Sequence, residues 1–357
     1  VATASTCAAL GWSAGAGAWG AQGHQYVGSL GQTLLNPNAA THIGALLGPK
    51  IDLAHAAVWP DCIRSVTGSP SHGFTFKMGQ FTPKACAVFD DNGPEEARMT
   101  DYAARNWTNC EYAGHRSQCN LAYHFADVNV RTHDRYDISY FGAGPGDVVQ
   151  AINAAVTVLR CPDGRTCATS GPFNIKDKRE ALFLLAHFMG DVHQPLHVGA
   201  VYLDSTNAPG GDDGRPTTGG NALLLKPGQK GENLHHEWDT IAKGLGIVPN
   251  AAAVASGCPT ALKRGTALGR PEDWASESVA AARAAYADLV YSPDSSLSNY
   301  WDLTFPNANS YAVNRTRSQA TQLVAGGARL AAILNATWPS TKRPAACPQL
   351  PRSRSRR

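Results

Sequence analysis

The stretch Asp177-Lys-Arg-Glu-Ala-Leu-Phe-Leu-Leu-Ala-His-Phe-Met-Gly-Asp-Val-His-Gln-Pro-Leu-His197 decides how the rest of this chain is read. Ala181, Leu182, Leu184, Leu185, Phe188, Met189 and Val192 recur at helical spacing, and Asp177 with Glu180 three residues later has the pattern of a capping box. A buried amphipathic helix is expected. His187 and Asp191 stand four apart and so share one of its faces, while Pro195 breaks the helix and lets His197 swing back from the following turn. Such a pair suits zinc, which takes His nitrogen and Asp oxygen at roughly 2.0 to 2.2 Å and can keep a position open for water. One such histidine is ordinarily a satisfied core residue. Three potential ligands in one stretch make the rest of the chain decisive.

With 357 residues, 43% of them hydrophobic, the chain can bury a full core. No run approaches the roughly 18 apolar residues that a membrane span requires. The formal charge of +3 owes its sign to four arginines in the tail 351–357; without them the balance is −1. The body therefore lacks a broad cationic footprint, so any attraction to nucleic acid must come from a local patch or bound metal. The tail is expected to be disordered. Residues 1–18 are small, uncharged and weakly apolar, and end Ala16-Gly17-Ala18, the small-x-small pattern cut by signal peptidase. They read as the back half of an export signal, with a mature start at Trp19 and a periplasmic or extracellular destination.

Eight cysteines follow Trp19, at 62, 86, 110, 119, 161, 167, 258 and 347, an even number that fits an oxidising compartment. Cys161 and Cys167 should form a short local bridge, Cys110 with Cys119 is a second candidate, and all eight are expected to be paired. No CxxC spacing suggests a cysteine zinc site, so a metal here would be held by His and Asp.

Helical patterns are expected at Gln22–Leu35, Ala39–Leu47, Glu95–Asn106, Gly146–Arg160, Pro271–Tyr291 and Asn307–Asn335. Residues 65–120 are rich in Gly, Pro, Ser and Asn and read as a disulfide-stapled excursion; 204–221 is a polar loop, and Leu223–Lys226 a short strand. The fold class is all-α: one multi-helix domain over 19–350, without internal repeats.

Further candidate ligands cluster in four places. They are Trp19-Gly-Ala-Gln-Gly-His24, Trp59-Pro-Asp61-Cys-Ile-Arg64, Tyr123-His124-Phe125-Ala-Asp127 and Asn233-Leu-His235-His236-Glu-Trp238-Asp239. His235 and Asp239 repeat the i, i+4 pairing of His187 and Asp191. Two such pairs in one domain favour a metal cluster over incidental histidines. His42, His55, His72, His115, His133, His193 and His236 match no motif and are left as surface or core residues.

The ordered set W-G-x-x-G-H, W-x-D-x-x-R, H-F-x-D, H-F-x-G-D-x-x-Q-P-L-H and N-L-H-x-x-W-D resembles the secreted zinc-dependent S-one/P-one type nucleases, whose fold and metal cluster are shared with the zinc phospholipases C. The resemblance runs from Trp19 to the last long helix. It implies three zinc ions: Asp61, His124 and His187 for one; His24 with the α-amine and carbonyl of Trp19 for a second; Asp191 bridging the two; and His197, His235 and Asp239 for the third. It also implies that Arg64 contacts the scissile phosphate, that Phe125 stacks on a base, and that Asp127 with Gly220 and Asn221 forms the base pocket. The implied substrates are single-stranded DNA and RNA and 3′-nucleotides, with no obligate protein partner. A zinc phospholipase C acting on a lipid headgroup is the alternative enzyme, and a helical zinc-binding structural protein the non-enzymatic one. The excursion and the 204–218 loop are longer than in the fungal members. The apolar residue that should face the base opposite Phe125 is expected near Leu203. Three sequons, at Asn106, Asn314 and Asn335, would carry glycans only in a eukaryotic secretory path.

Overall fold

Asp177 accepts a hydrogen bond from Glu180 N, and the helix that it caps, Lys178–Asp191, is the axis of the molecule. The other half of the expected box does not form: the Glu180 carboxylate accepts from Lys176 N, one residue upstream of the cap. From Glu180 to Asp191 every residue is buried, so this helix is enclosed all round rather than amphipathic. Leu182, Phe183, Leu184, Leu185, Phe188 and Met189 are each at most 1% exposed. Each contributes about 2 kcal/mol by leaving water. That surplus supports what the same helix carries at its far end, a histidine and an aspartate with no water around them.

The computed structural model describes residues 19–80, 82–110, 117–203, 211–212, 214–242 and 270–340. The helices are α1 (Gly20–Thr33), α2 (Pro37–Leu47), α3 (Leu53–Ala56), α4 (Trp59–Ile63), α5 (Pro94–Arg105), α6 (Val148–Arg160), α7 (Lys178–Asp191), α8 (Leu234–Asp239), α9 (Pro271–Tyr286) and α10 (Ala308–Thr337). Helix α7 packs against α1, α2, α3, α4, α6 and α10. Asn36 and Pro37, read as a stop for α1, also start α2: the Asn36 side chain accepts from Ala39 N, and Pro37 takes the first turn, where its missing N–H costs nothing. Helix α9 ends five residues before the expected Tyr291. Ala287 turns to extended geometry, Asp288 takes a left-handed φ of 59°, and the chain enters a strand. No helix among the described residues is long and apolar enough to cross a membrane.

The expectation of an all-α fold needs amendment. The chain is predominantly helical but carries short strands: β1 (Val66–Ser69), β2 (Gly73–Phe76), β3 (Val128–Asn129), β4 (Gly199–Ala200), β5 (Tyr202–Leu203), β6 (Arg215–Pro216), β7 (Leu223–Leu224), β8 (Val290–Pro293) and β9 (Trp301–Thr304). They pair as the hairpin β1–β2, a parallel β3–β4, an antiparallel β5–β6, and a sheet in the order β7-β9-β8. Strands of two to four residues leave no alternation long enough to detect. Their use is local: β3 against β4, extended by Ala126 N donating to His197 O at 2.7 Å, clamps the segment after His124 beside the turn of His197.

The excursion is built into the body. Phe89, Met99 and Tyr102 are buried in the common core, and α5 presents Arg98 and Arg105 to the start of α7. Arg98 meets Asp177 at 2.7 Å and Arg105 meets the buried Glu180 at 2.7 Å, so a carboxylate without access to water is paired. The Cys161–Cys167 bridge and the Cys110–Cys119 bridge are both present; a third, Cys62–Cys86, ties α4 to the excursion. Cys258 and Cys347, the export signal at 1–18, the tail at 351–357 and most of the 204–218 loop lie outside the described residues. The Asn106 sequon is structural: its amide is fully buried, donates to Tyr102 O and Asn174 O and accepts from Asn174 N. Asn335 bonds Asn36 N and Leu34 O, whereas Asn314 is exposed.

Because Cys62–Cys86 closes a longer loop than Cys161–Cys167, with separations of 24 and 6 residues, its removal should cost more. The pair Cys62→Ala/Cys86→Ala is expected to lose about 3 kcal/mol of stability, and Cys161→Ala/Cys167→Ala less. Urea unfolding of both variants measures the order; equal losses would contradict it.

Candidate metal centre and adjoining cleft

Three groups of histidine and aspartate converge in the interior: His24, His187 and Asp191; Asp61, His124 and His187; and His197, His235 and Asp239. Within each group the potential ligand atoms lie within 4.8 Å of one another, and all are buried. These are the eight side chains that the motifs singled out. His187 belongs to two of the groups, stacking on the His24 ring at 3.8 Å while its Nε2 lies 3.1 Å from Asp191 Oδ2. Asp191 is the common neighbour, with Oδ1 3.3 Å from His24 Nε2 and Oδ2 3.0 Å from His124 Nδ1. Its Oδ1 is also 3.8 Å from His197 Nδ1. Helix α7 thus delivers His187 and Asp191, α1 His24, α4 Asp61, a 3-10 turn (Cys119–His124) His124, a second (Pro195–His197) His197, and α8 His235 and Asp239.

Backbone carbonyls set the imidazole tautomers. His187 Nδ1 donates to Ala57 O at 2.7 Å, His197 Nδ1 to His124 O at 2.8 Å and His235 Nδ1 to Gly219 O at 2.9 Å. A carbonyl oxygen can only accept, so each Nδ1 carries the proton, and in the neutral rings of His197 and His235 each Nε2 bears a lone pair. The consequence is sharp at His197 and His235, whose Nε2 atoms face each other at 3.1 Å. Two lone pairs at that distance repel unless a cation lies against both. In the same interior, His24 Nε2, both oxygens of Asp61, Asp191 Oδ1 and Asp239 Oδ2 are buried without a hydrogen-bond partner. Leaving such atoms unpaired costs about 1 to 3 kcal/mol each, more when charged. The donor set therefore fits metal ions.

Burial and mutual charge fix the titration of these groups. Burial lowers His197 to about 3 and His235 to about 4, so both are neutral near pH 7. Burial also lowers His24 and His124. Burial would raise Asp191, but the neighbouring His187 and His197 outweigh it and hold the carboxyl well below its usual range. Asp239 is pushed up by burial, with Asp61 and Asp191 adding to the shift.

Close packing requires two glycines here. A Cβ on Gly190 would lie 2.6 Å from His24 Nδ1, so only glycine lets α7 approach that ring. Gly219 has φ of 59°, and its Cβ would meet Leu196 O at 2.2 Å and His235 Nδ1 at 3.1 Å.

Beside the three groups opens a cleft lined by Arg64, Leu121, His124, Phe125, Asp127, Leu196, His197, Thr218, Gly219, Asn221 and His235. Arg64, Phe125, Asp127 and Asn221 are thus together, as the motifs implied. Gly220 is not on this wall: Gly219 takes the place, and Gly220 packs toward Leu234 and Tyr286. Leu203 itself lines a different cavity with Arg215 and Tyr300. The apolar side chains accompanying Phe125 are Leu121 and Leu196. Neither was foreseen: Leu121 stands four residues before Phe125 and Leu196 directly before His197. His193, left unassigned, is fully buried and bonds Met189 O and Arg329 Nη1, away from the cluster.

The S1/P1 Nuclease family model matches residues 19–338, and the chain belongs to that family. Among characterised relatives it is similar to Endonuclease 4 of Arabidopsis thaliana, 42% identical over 62 residues, or 17% of this chain and 16% of that protein. It is also similar to Endonuclease 2 of the same organism, 26% identical over 232 residues, covering 62% and 55% respectively. The chain spans at most about half the length of the curated relatives it matches.

Proposed function

We propose that this chain is a zinc-dependent nuclease that hydrolyses single-stranded DNA and RNA to 5′-phosphorylated products and removes the phosphate of 3′-nucleotides. The observation that carries the reading is the pair of unprotonated nitrogens of His197 and His235, held 3.1 Å apart beside Asp239 and next to a cleft edged by Arg64. Imidazole and carboxylate donors without cysteine suit zinc. Asp61, His124 and His187 would hold one ion, Trp19 and His24 a second, Asp191 both of these, and His197, His235 and Asp239 a third. When bound, such ions bring the pKa of water from 15.7 to roughly 7 and offset the charge that builds on the phosphate oxygens.

The remaining work falls to the chain's own side chains. Asp191 holds the first two groups at a fixed separation. Arg64 offers a planar fork of N–H donors to the non-bridging oxygens, a contact that strengthens as negative charge develops. Phe125 stacks on a base, which must leave its duplex to reach the ring; such stacking is worth roughly 1 to 3 kcal/mol per base and favours single strands. Asp127 and Asn221 meet the edge of that base. Three disulfides among the described residues support export to an oxidising compartment.

The test is a substrate panel of single-stranded DNA, single-stranded RNA, duplex DNA, 3′-nucleotides and phosphatidylcholine, each with and without a chelator. Chelator-sensitive cleavage of the single strands and 3′-nucleotides is expected; turnover of phosphatidylcholine alone would replace the nuclease by a phospholipase. Within the panel, Asp127→Ala should change the relative rates among the four 3′-nucleotides by roughly tenfold, about the worth of one hydrogen bond to a charged group. A uniform loss on all four would contradict a base-reading role.

A further inference from the structure

Gln194 lies between two groups of candidate ligands and is fully buried, with both ends of its amide committed. Its Oε1 accepts from Leu196 N at 2.6 Å, and its Nε2 donates to Asp239 Oδ1 at 2.8 Å. The Leu196 N–H can only donate, so the oxygen must face it and the NH2 must face the carboxylate. One amide therefore connects the turn that carries His197 to the aspartate of α8, and both belong to the group of His197, His235 and Asp239.

The link also decides which oxygen of Asp239 remains. With Oδ1 engaged by Gln194, Oδ2 is the atom without a hydrogen bond, and it lies 3.5 Å from His235 Nε2. The two imidazoles of the group are oriented by backbone carbonyls, His197 by His124 O and His235 by Gly219 O. For Asp239 the corresponding partner is a side chain, which a substitution can remove without touching the backbone.

We propose that Gln194 is a positioning residue for the third metal, one that ligates nothing itself but turns Asp239 so that Oδ2 meets the His197 and His235 nitrogens. This rests on the reading of that group as a metal site. Partners of this kind, which orient a ligand from behind, typically change metal affinity about 10- to 100-fold.

Two substitutions separate the halves of the link. Gln194→Asn keeps a carboxamide that can still accept from the N–H two residues on, as in an Asx turn, but it is one methylene too short to reach Asp239 as well. Gln194→Met keeps the length and removes both bonds. Zinc content is measured after dialysis against graded chelator, and the visible absorption of the cobalt-substituted protein is followed through the third equivalent. Wild type should retain three ions. Both variants should release the third about 10 to 100 times more readily, retain the other two, and show an altered cobalt spectrum for the third equivalent only. In an Asp239→Asn background the further change Gln194→Asn should alter third-ion affinity by less than about twofold, because the path through Asp239 is already cut.

A third ion held as tightly in Gln194→Asn as in wild type overturns the proposal, as does a full additive loss in the double variant. Should Gln194→Met fail to fold, Gln194→Asn alone decides. Fewer than three ions in the unsubstituted protein beginning at Trp19 would overturn the metal reading itself, which keeps the two failures distinct.

Discussion

Asp191→Asn is expected to lower hydrolysis of single-stranded DNA on the order of a thousandfold or more while leaving the helical content unchanged. Asn matches Asp in volume, so the packing of α7 survives. The chemistry does not. Asp191 is fully buried, with Oδ1 beside His24 Nε2 and Oδ2 beside His124 Nδ1 and His187 Nε2. The amide replaces one acceptor by a donor and deletes the negative charge that would balance two cations at once. Zinc content should fall together with activity, since both of the first two groups lose their common ligand. Circular dichroism, metal analysis and strand cleavage on the same preparation check the prediction. Near-normal hydrolysis with full metal content would remove Asp191 from its bridging role.

The second large effect is expected at Trp19. A protein beginning at Trp19 should hold three zinc ions, whereas one carrying a single extra residue before it should hold two tightly and the ion at Trp19 and His24 poorly, with activity reduced accordingly. A peptide nitrogen has no lone pair to give, because resonance with the carbonyl occupies it; an α-amine, with a pKa of about 7.7, has one that zinc readily claims. Amine and carbonyl of one residue can also chelate a metal in a five-membered ring. The Trp19 ring is fully buried, and a Cβ on Gly190 would lie 2.6 Å from His24 Nδ1 and 3.6 Å from Trp19 Cδ1. Trp19, His24 and the end of α7 therefore share one pocket. Three tightly held ions and full activity in the extended form would exclude the amine as a ligand.

Much of the architecture was legible because its signals are local. A helix cap acts over three residues, and Asp177 is seen accepting the expected Glu180 N–H; Asn36 and Asn307 cap their helices in the same way. The i, i+4 spacing of His187 with Asp191 and of His235 with Asp239 follows from helix pitch alone, and both pairs do share a buried face. The short strand expected at Leu223–Lys226 is present as β7, but the other strands and the end of α9 were not foreseen, because ladders of two to four residues leave no period to count.

From the residues themselves came the helices, the ligand types and the order in which the motifs arrive. Which ligand joins which group depends on side chains brought together from six separate segments, and spacing cannot encode such distances. Gly219 rather than Gly220 is among the residues lining the cleft, although both adopt positive φ and stand side by side in the chain. The tautomers of His187, His197 and His235 are set by carbonyls of Ala57, His124 and Gly219, groups that every residue possesses and that no sequence pattern marks. Gln194 stood in plain view between Asp191 and His197, but its partner Asp239 is 45 residues away. Tertiary packing alone decides that contact, because a buried amide takes whatever donor and acceptor the surrounding fold presents to it.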